Sequence, residues 1–382
     1  MIIQLCAGVI YMWAVFKDPV SAYLERSPGD IALVSSVMLS AFVFGILFGG
    51  ILQDRFGPQA IAVLGSVVMS SGILLTSFVT SDSASLIYLT YGVIGGFGVG
   101  TVYLCTVSCV QKWFPDKRGF ATGAMVGAFG FSLVIFTPLA TYLLEETGVP
   151  MTFRILGSAF MIICVISALI LINPPEGFTA PGKITDTGKK QFTPSEMVRT
   201  KEFYLISGSL FLVLPAFFIL NPHLVTLATE RGFAEYATMG VMITGVFSAA
   251  GRLLITWMSD KTGRIPAMVF IAVITAIGVF ALTAASGYLF LICVALISFT
   301  FGGASGVYAA VTADHFGTKN MGTNYGIVIM GFGASALLFP YLTNIISSPG
   351  DMTNAFILAA VTCILALVLV LMLRTSYKGR DY

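Results

Sequence analysis

Arg252 is the side chain whose chemistry needs explaining first. It lies in Gly245-Val-Phe-Ser-Ala-Ala-Gly-Arg-Leu-Leu-Ile-Thr-Trp257, a stretch with no other charge, and the next charged residue is Asp260. Eight helical residues rise ~12 Å, nearly half of a ~30 Å hydrocarbon layer. A guanidinium keeps its proton there, and lipid is a hostile solvent for it. No acid lies within one turn of it in the sequence. It must face a polar cavity or a partner, and we read it as an anion site.

Other residues could support such a site. His223, in Leu220-Asn-Pro-His-Leu224, is the one histidine well inside an apolar span. An imidazole titrates near neutrality and suits proton transfer. A hydrogen-bonded histidine beside a proline kink is the alternative. Lys17 could lose a proton when desolvated, or could snorkel and pair with Asp18. His315, beside Asp314, is read as structural. Tyr103 and Tyr308 sit among Gly95-Gly-Phe-Gly-Val-Gly100 and Gly302-Gly-Ala-Ser-Gly306. Their phenols, and that of Tyr11, could donate to a carboxylate or simply pack. These glycine runs lie inside apolar helices rather than after a strand, so they are no dinucleotide loop.

The elements that carry these residues are membrane helices. Hydrophobic residues make up 57% and charged residues 10%, where soluble domains carry about 25% charge. Hydropathy predicts spans near 1–24, 31–52, 59–80, 85–110, 120–144, 152–173, 203–228, 236–258, 265–286, 288–312, 322–347 and 352–373. The polar stretch 173–202, with Pro174, Pro175, Pro181 and Pro194, is a linker. It separates a six-helix bundle over 1–172 from a second over 203–374, with a tail over 375–382. Thr193-Pro-Ser-Glu196 has helix-capping character and predicts a short surface helix. The sequence turns apolar directly after Met1, so the first helix is expected to begin inside a longer natural segment.

Basic residues set the expected orientation. One side holds Arg55, Lys112, Lys117, Arg118, the linker cations Lys183, Lys189, Lys190, Arg199 and Lys201, with Lys261, Arg264, Lys319 and the C-terminal cations. The other has Lys17, Arg26, Arg154 and Arg231. Both termini are therefore expected in the cytoplasm, with the protein in the inner (plasma) membrane. A net charge of +2 does not suggest a nucleic-acid partner. The six cysteines fall in apolar runs and read as small buried hydrophobes. No Ser/His/Asp set, metal cluster or paired acids lies at membrane depth, which argues against an enzyme, a metal site or a cofactor. No ATP loop is present, so gradients would drive any transport. A monomer is expected.

The halves repeat one another. Leu24-Glu-Arg26 recurs as Thr229-Glu-Arg231, and Gly50-Ile-Leu-Gln-Asp-Arg-Phe-Gly57 as Thr256-Trp-Met-Ser-Asp-Lys-Thr-Gly263. Gly123 and Pro138 recur as Gly326 and Pro340. A near-constant offset marks a parallel duplication, the architecture of a two-bundle transporter.

The Gly50, Asp54, Arg55, Gly57 loop, echoed by Asp260, Lys261, Gly263 and Arg264, resembles the signature loop of the major facilitator superfamily. The resemblance implies an all-α membrane protein with twelve transmembrane helices in two pseudo-symmetric six-helix bundles. Gly50 permits close helix approach, while Asp54, Arg55, Asp260, Lys261 and Arg264 can bridge or cap neighbouring helix ends as a conformational latch. Pro58-Gln59-Ala60 stands where basic residues usually follow, which weakens the first copy. A narrower resemblance, to the oxalate:formate antiporter family and its monocarboxylate transporter neighbours, rests on Gly8-Val-Ile-Tyr-Met-Trp-Ala-Val-Phe16, Lys112-Trp-Phe-Pro-Asp-Lys-Arg-Gly119 and Asn324-Tyr-Gly-Ile-Val328.

That resemblance implies that Arg252, as the helix 8 arginine, engages a substrate carboxylate. It also exposes departures. A second cation in helix 11 is replaced by Phe332, and two cage tryptophans by Ala304 and Ile329. One cation suits one carboxylate, whereas a dianion would leave a charge uncompensated in a low-dielectric cavity. Phe332 becomes an apolar wall for a short alkyl chain. The acid expected one turn before the arginine is Ser248, so proton coupling would fall to His223 or Lys17. The expected function is secondary transport of small monocarboxylates, such as lactate, pyruvate or formate, with protons. Anion exchange and a non-transporting membrane sensor are the alternatives.

Overall fold

A computed structural model describes residues 1–175, 190–230, 237–347 and 352–378. Helix α1 comprises Ile2–Ala7, a 3₁₀ turn at Gly8–Tyr11, and Trp13–Tyr23. It leads to α2 (Pro28–Phe56) and α3 (Pro58–Thr76). Helix α4 opens with a π-helical segment, Tyr88–Gly95, and continues as Gly96–Trp113. The 52-residue run Arg118–Leu169 breaks at Gly148 (φ 74°, ψ 174°) into α5 (118–147) and α6 (149–169).

The second half follows the same order. Helix α7 is Lys201–Val213 with Pro215–Glu230, α8 is Ala237–Thr262, α9 is Arg264–Leu282 and α10 is Tyr288–Phe316. Helix α11 is Met321–Val328 with Met330–Ile346, and α12 is Thr353–Lys378. Ten of the described helices are long and apolar enough to cross a membrane. Dividing the 52-residue run at Gly148 and adding α1 gives the twelve expected.

Local chemistry sets the breaks. The Ser27 hydroxyl accepts from Asp30 N–H and starts α2, with Pro28 in the first turn where a missing N–H is harmless. Gly57 and Gly263 end α2 and α8 at φ 86° and 93°. A side chain at either would be strained by about 1–3 kcal/mol, so both copies of the loop need glycine there. Thr193 caps the short helix Pro194–Met197, and its N–H donates to the Glu196 carboxylate at 2.8 Å. That backbone hydrogen bond, joined by one from the Thr193 hydroxyl, holds Glu196 below the usual carboxylate range. The linker residues 176–189, with Pro181, Lys183 and Lys189, lie outside the described residues, as do Arg231 and 379–382.

Two compact units divide the chain. Unit 1 is Met1–Pro115, Ala128–Lys189 and Thr318–Gly326; unit 2 is Asp116–Gly127, Lys190–Gly317 and Ile327–Tyr382. Each unit thus contains one stretch from the other half of the sequence: the start of α11 in unit 1, the start of α5 in unit 2.

In each unit one helix pair packs backbone to backbone. Within α2–α4, a Cβ on Gly45 would strike the Phe97 carbonyl and one on Gly100 the Phe42 carbonyl. Within α8–α10, Gly251 meets the Phe299 carbonyl and Gly302 the Ser248 carbonyl in the same way. These contacts superimpose with offsets of 206 for α2 and α8 and 202 for α4 and α10, so the duplication extends to individual atoms. Lipid supplies no hydrophobic drive between helices, and close approach through small residues gives the packing its strength. The remaining core of unit 2 joins α7, α9, α10 and α12 through Ile219, Val279, Phe290, Val294 and Phe356.

Candidate functional site

Arg252 is buried, only 4% exposed, on an α8 with no other charge at that depth. The Gly251–Phe299, Ser248–Gly302 and Thr256–Gly306 contacts bracket it, so its turn packs against the 299–306 stretch of α10. The Thr256 hydroxyl donates to the Arg252 carbonyl. The start of α5 runs against this turn, because a Cβ on Gly123 would meet the Arg252 carbonyl and the Thr256 hydroxyl. Small residues on α5 and α10 therefore leave the guanidinium's turn close to neighbouring backbone.

The other residues expected to line a site in unit 2 have surroundings of their own. Tyr308 is buried and its hydroxyl donates to Ser209 Oγ of α7 at 3.0 Å. Phe332 is half-buried and joins an aromatic group, 5.1 Å from Phe218 and 6.1 Å from Phe301 between ring centroids. Phe301 in turn stacks on Phe217. Ala304 and Ile329 are buried. His223 is half-buried on α7, directly after Pro222.

Unit 1 gathers Tyr103 and Tyr11 around Phe129. Tyr103 packs 5.3 Å from Phe129 and 5.4 Å from Phe42, and Tyr11 lies edge-on to Phe129 at 5.4 Å. Gln4 of α1 donates to the Tyr103 carbonyl at 3.1 Å and to Thr106 Oγ1 at 2.5 Å. The Gln4–Thr106 bond is the counterpart of Ser209–Tyr308, at offsets of 205 and 202. Tyr325, near the start of α11, is buried. Lys17 pairs with Asp18 at 3.4 Å on the surface of the same unit.

The latch residues form two clamps. In unit 1, Asp54 accepts from Gly322 N–H at 3.1 Å and Thr323 N–H at 2.6 Å, at the first turn of α11. In unit 2, Asp260 accepts from Gly119 N–H at 2.8 Å and Phe120 N–H at 2.7 Å, at the first turn of α5. Each carboxylate sits on the positive end of a helix dipole. Gly50 completes the first clamp, because a Cβ there would meet the Gly322 carbonyl.

The second clamp is also an ion network. Arg264 bonds Asp260 at 2.6 Å, Ser259 at 2.7 Å and Asp314 at 2.7 Å; Arg118 bonds Asp314 at 2.6 Å. These are short charge-assisted bonds between side chains at most 24% exposed. Arg55 and Lys261 stand outside the clamps: Arg55 lies over the Phe56 ring at 5.2 Å and Lys261 over Trp257 at 3.9 Å.

Several of these residues escaped the sequence reading. Asp314 and Arg118 were visible only as a neighbour of His315 and a topology cation. Tyr325, Ser209 and Gln4 carried no signal beyond being polar in apolar spans. The 202–206 offsets would have paired Gln4 with Ser209 and Thr106 with Tyr308, had they been applied residue by residue.

A family model described as Major Facilitator Superfamily matches residues 2–327 and 246–381. The chain is 29% identical over 371 residues to the oxalate:formate antiporter of Oxalobacter formigenes, covering 95% of this chain and 87% of that protein. It is 24% identical over 393 residues to monocarboxylate transporter 12 of Xenopus laevis, covering 93% and 83%. Among solved structures, the E. coli fucose:proton symporter matches with a TM-score of 0.69 over 97% of this chain and 98% of that one; at 15% identity the likeness shows the fold.

Proposed function

The chain belongs to the major facilitator superfamily, and from that premise we propose that it carries small monocarboxylates across the inner membrane by alternating access, coupled to protons. It is a multi-pass membrane transporter rather than an enzyme. The observation that carries the reading is Arg252: a permanent cation, 4% exposed, in the middle of a spanning helix. Such a charge is retained where it does work, and a carboxylate is the ligand whose two oxygens match its planar fork. The printed activities of two relatives, oxalate:formate exchange and monocarboxylate transport, support the same substrate class.

Within that class a single carboxylate fits best. Phe332 occupies the helix 11 position with an aromatic group around it, Phe218 and Phe301, instead of a second cation. Substrate contacts are assigned to Arg252, Tyr103, Tyr308, Tyr11 and Phe332, and proton transfer to His223 or Lys17. Alternating access exchanges the Asp54 and Asp260 clamps between held and released states, with both termini in the cytoplasm and the protein working as a monomer in its bilayer.

Proteoliposomes given labelled lactate on the outside separate the coupling modes. Under symport, an imposed inward proton gradient accelerates uptake with no anion inside. Exchange, which the antiporter relative favours, would instead respond only to preloaded anion. Phe332→Lys is expected to raise affinity for oxalate and malonate by about tenfold; unchanged selectivity would remove the single-carboxylate assignment.

A further inference from the structure

Two departures from the α-helix in unit 1 meet at one hydrogen bond. Helix α1 tightens into a 3₁₀ turn at Gly8–Tyr11, and α4 widens into a π-helical segment at Tyr88–Gly95. Between them the Tyr91 hydroxyl donates to the Val9 carbonyl at 3.1 Å, and both residues are buried. The same carbonyl accepts from Met12 N–H at 2.9 Å. A carbonyl has two lone pairs, so the bond from Trp13 N–H that would straighten α1 is left without an acceptor. The Tyr91 ring is itself fixed, 4.6 Å from Trp13 and 5.8 Å from Phe153 between centroids.

The duplication supplies a control. Helix α7 breaks at the same register, between Val213 and Pro215. There the Leu214 carbonyl accepts from Phe217 N–H at 3.1 Å and from Phe218 N–H at 3.3 Å. Val9 and Met12 correspond to Leu214 and Phe217 at the offset of 205 that relates Leu24 to Thr229. The cause of the break differs. Pro215 has no N–H and its ring crowds the Phe211 carbonyl, so covalent structure bends α7. Its counterpart in α1 is Ile10, which would let a helix run straight. A bend produced twice by unrelated chemistry points to something that the bend places.

We propose that Tyr91 is a positioning residue for transport: its hydroxyl does for α1 what Pro215 does for α7, and so sets where Tyr11 stands. A 3₁₀ step turns ~120° where an α-helical step turns ~100°. From Gly8 to Tyr11 the difference carries the Tyr11 side chain ~60° around the axis, and its ring lies edge-on to Phe129 at 5.4 Å. The segments on either side are anchored, so a change in the turn is felt at Tyr11. Trp13 Nε1 donates to the Ile31 carbonyl at 2.9 Å, Gln4 donates to the Tyr103 carbonyl at 3.1 Å, and a Cβ on Gly8 would strike the Phe129 carbonyl. Without the Tyr91 hydroxyl, Trp13 N–H regains Val9 as an acceptor and the Tyr11 ring leaves its place. The inference rests on the carboxylate reading above and on the substrate contact given there to Tyr11.

KM and kcat for labelled lactate in proteoliposomes test it, with folding followed by thermal shift. Tyr91→Phe keeps the ring and is expected to raise KM about fivefold with kcat changed less than about twofold. Adding Ile10→Pro to that variant copies the α7 break and is expected to return KM to within about twofold of wild type. Ile10→Pro alone is expected to stay within about the same range, because the bend is already present. In a Tyr11→Leu background, Tyr91→Phe is expected to change KM by less than about twofold. An unmoved KM in Tyr91→Phe, a folded Ile10→Pro double variant that fails to restore it, or additive effects with Tyr11→Leu would overturn the positioning role while leaving the carboxylate reading intact. Absence of labelled-lactate uptake by the wild-type protein would overturn both.

Discussion

The two clamps are copies of one device built to different strengths. Asp54 and Asp260 each cap two N–H groups at the same register of a helix. Around Asp260 the sequence adds Arg264, Asp314 and Arg118, giving alternating charges linked at 2.6–2.7 Å. The corresponding positions beside Asp54 are Pro58, Lys112 and Met321. What stands there is one cation, Lys112, within the field of Asp54, and a neutral bond, in which buried Gln53, the counterpart of Ser259, donates to Ser108 at 2.7 Å. Under the alternating access proposed above, both clamps open in turn. Unequal clamps make the two openings unequal, and the duplication teaches which residues set the difference.

Removing the acids should break the symmetry most. Asp260→Ala strips a buried pair from Arg264 and the cap from α5, and is expected to lower Tm by about 10 °C in a detergent thermal-shift assay. Asp54→Ala loses a cap and the attraction to one cation, Lys112, together worth about 3 °C. Equal falls would contradict the ranking. A graft sharpens the comparison next. Pro58→Arg with Lys112→Asp and Met321→Arg copies the network onto the first clamp, and is expected to slow lactate turnover about threefold by holding that clamp shut. Faster or unchanged turnover would show that the first clamp does not limit the cycle.

The smallest effect concerns the linker that braces the second clamp's helix. Phe192 N–H donates to the Phe316 carbonyl at 2.9 Å, two residues beyond Asp314, and Glu196 caps the turn that follows. Glu196 has its pKa depressed by Thr193. Its contribution is therefore present above the ordinary carboxylate range and lost as pH falls through the lower, folded-state value. Hydrogen exchange across 190–200 should rise on acidification in the wild type and stay level in Glu196→Gln.

Much of this was legible in the sequence, for physical reasons. Apolar length fixes the twelve spans, and two copies of a loop around Gly57 and Gly263 reveal the duplication because only glycine fits φ near 90°. That the first clamp has no arginine at the register of Arg264 was readable from Pro58. Which cation joins a clamp was not. Arg55 and Lys261 follow their aspartates by one residue, about 100° around a helix, and so point elsewhere. Arg264 reaches Asp260 as its i+4 neighbour across the Gly263 turn. The partner Asp314 comes from a helix fifty residues later, and no local pattern announces it. The 3₁₀ turn at Gly8–Tyr11 and the π-helical start of α4 were equally silent, since both keep the apolar period of an ordinary span.

The proposed carboxylate site turns on Arg252. Arg252→Lys keeps the charge and the burial but loses the planar, two-pronged donor. Measured as lactate uptake into proteoliposomes at matched protein density, the account predicts a loss of at least ~100-fold with the protein still folded by thermal shift. Uptake within about twofold of wild type, with KM unchanged, would contradict it.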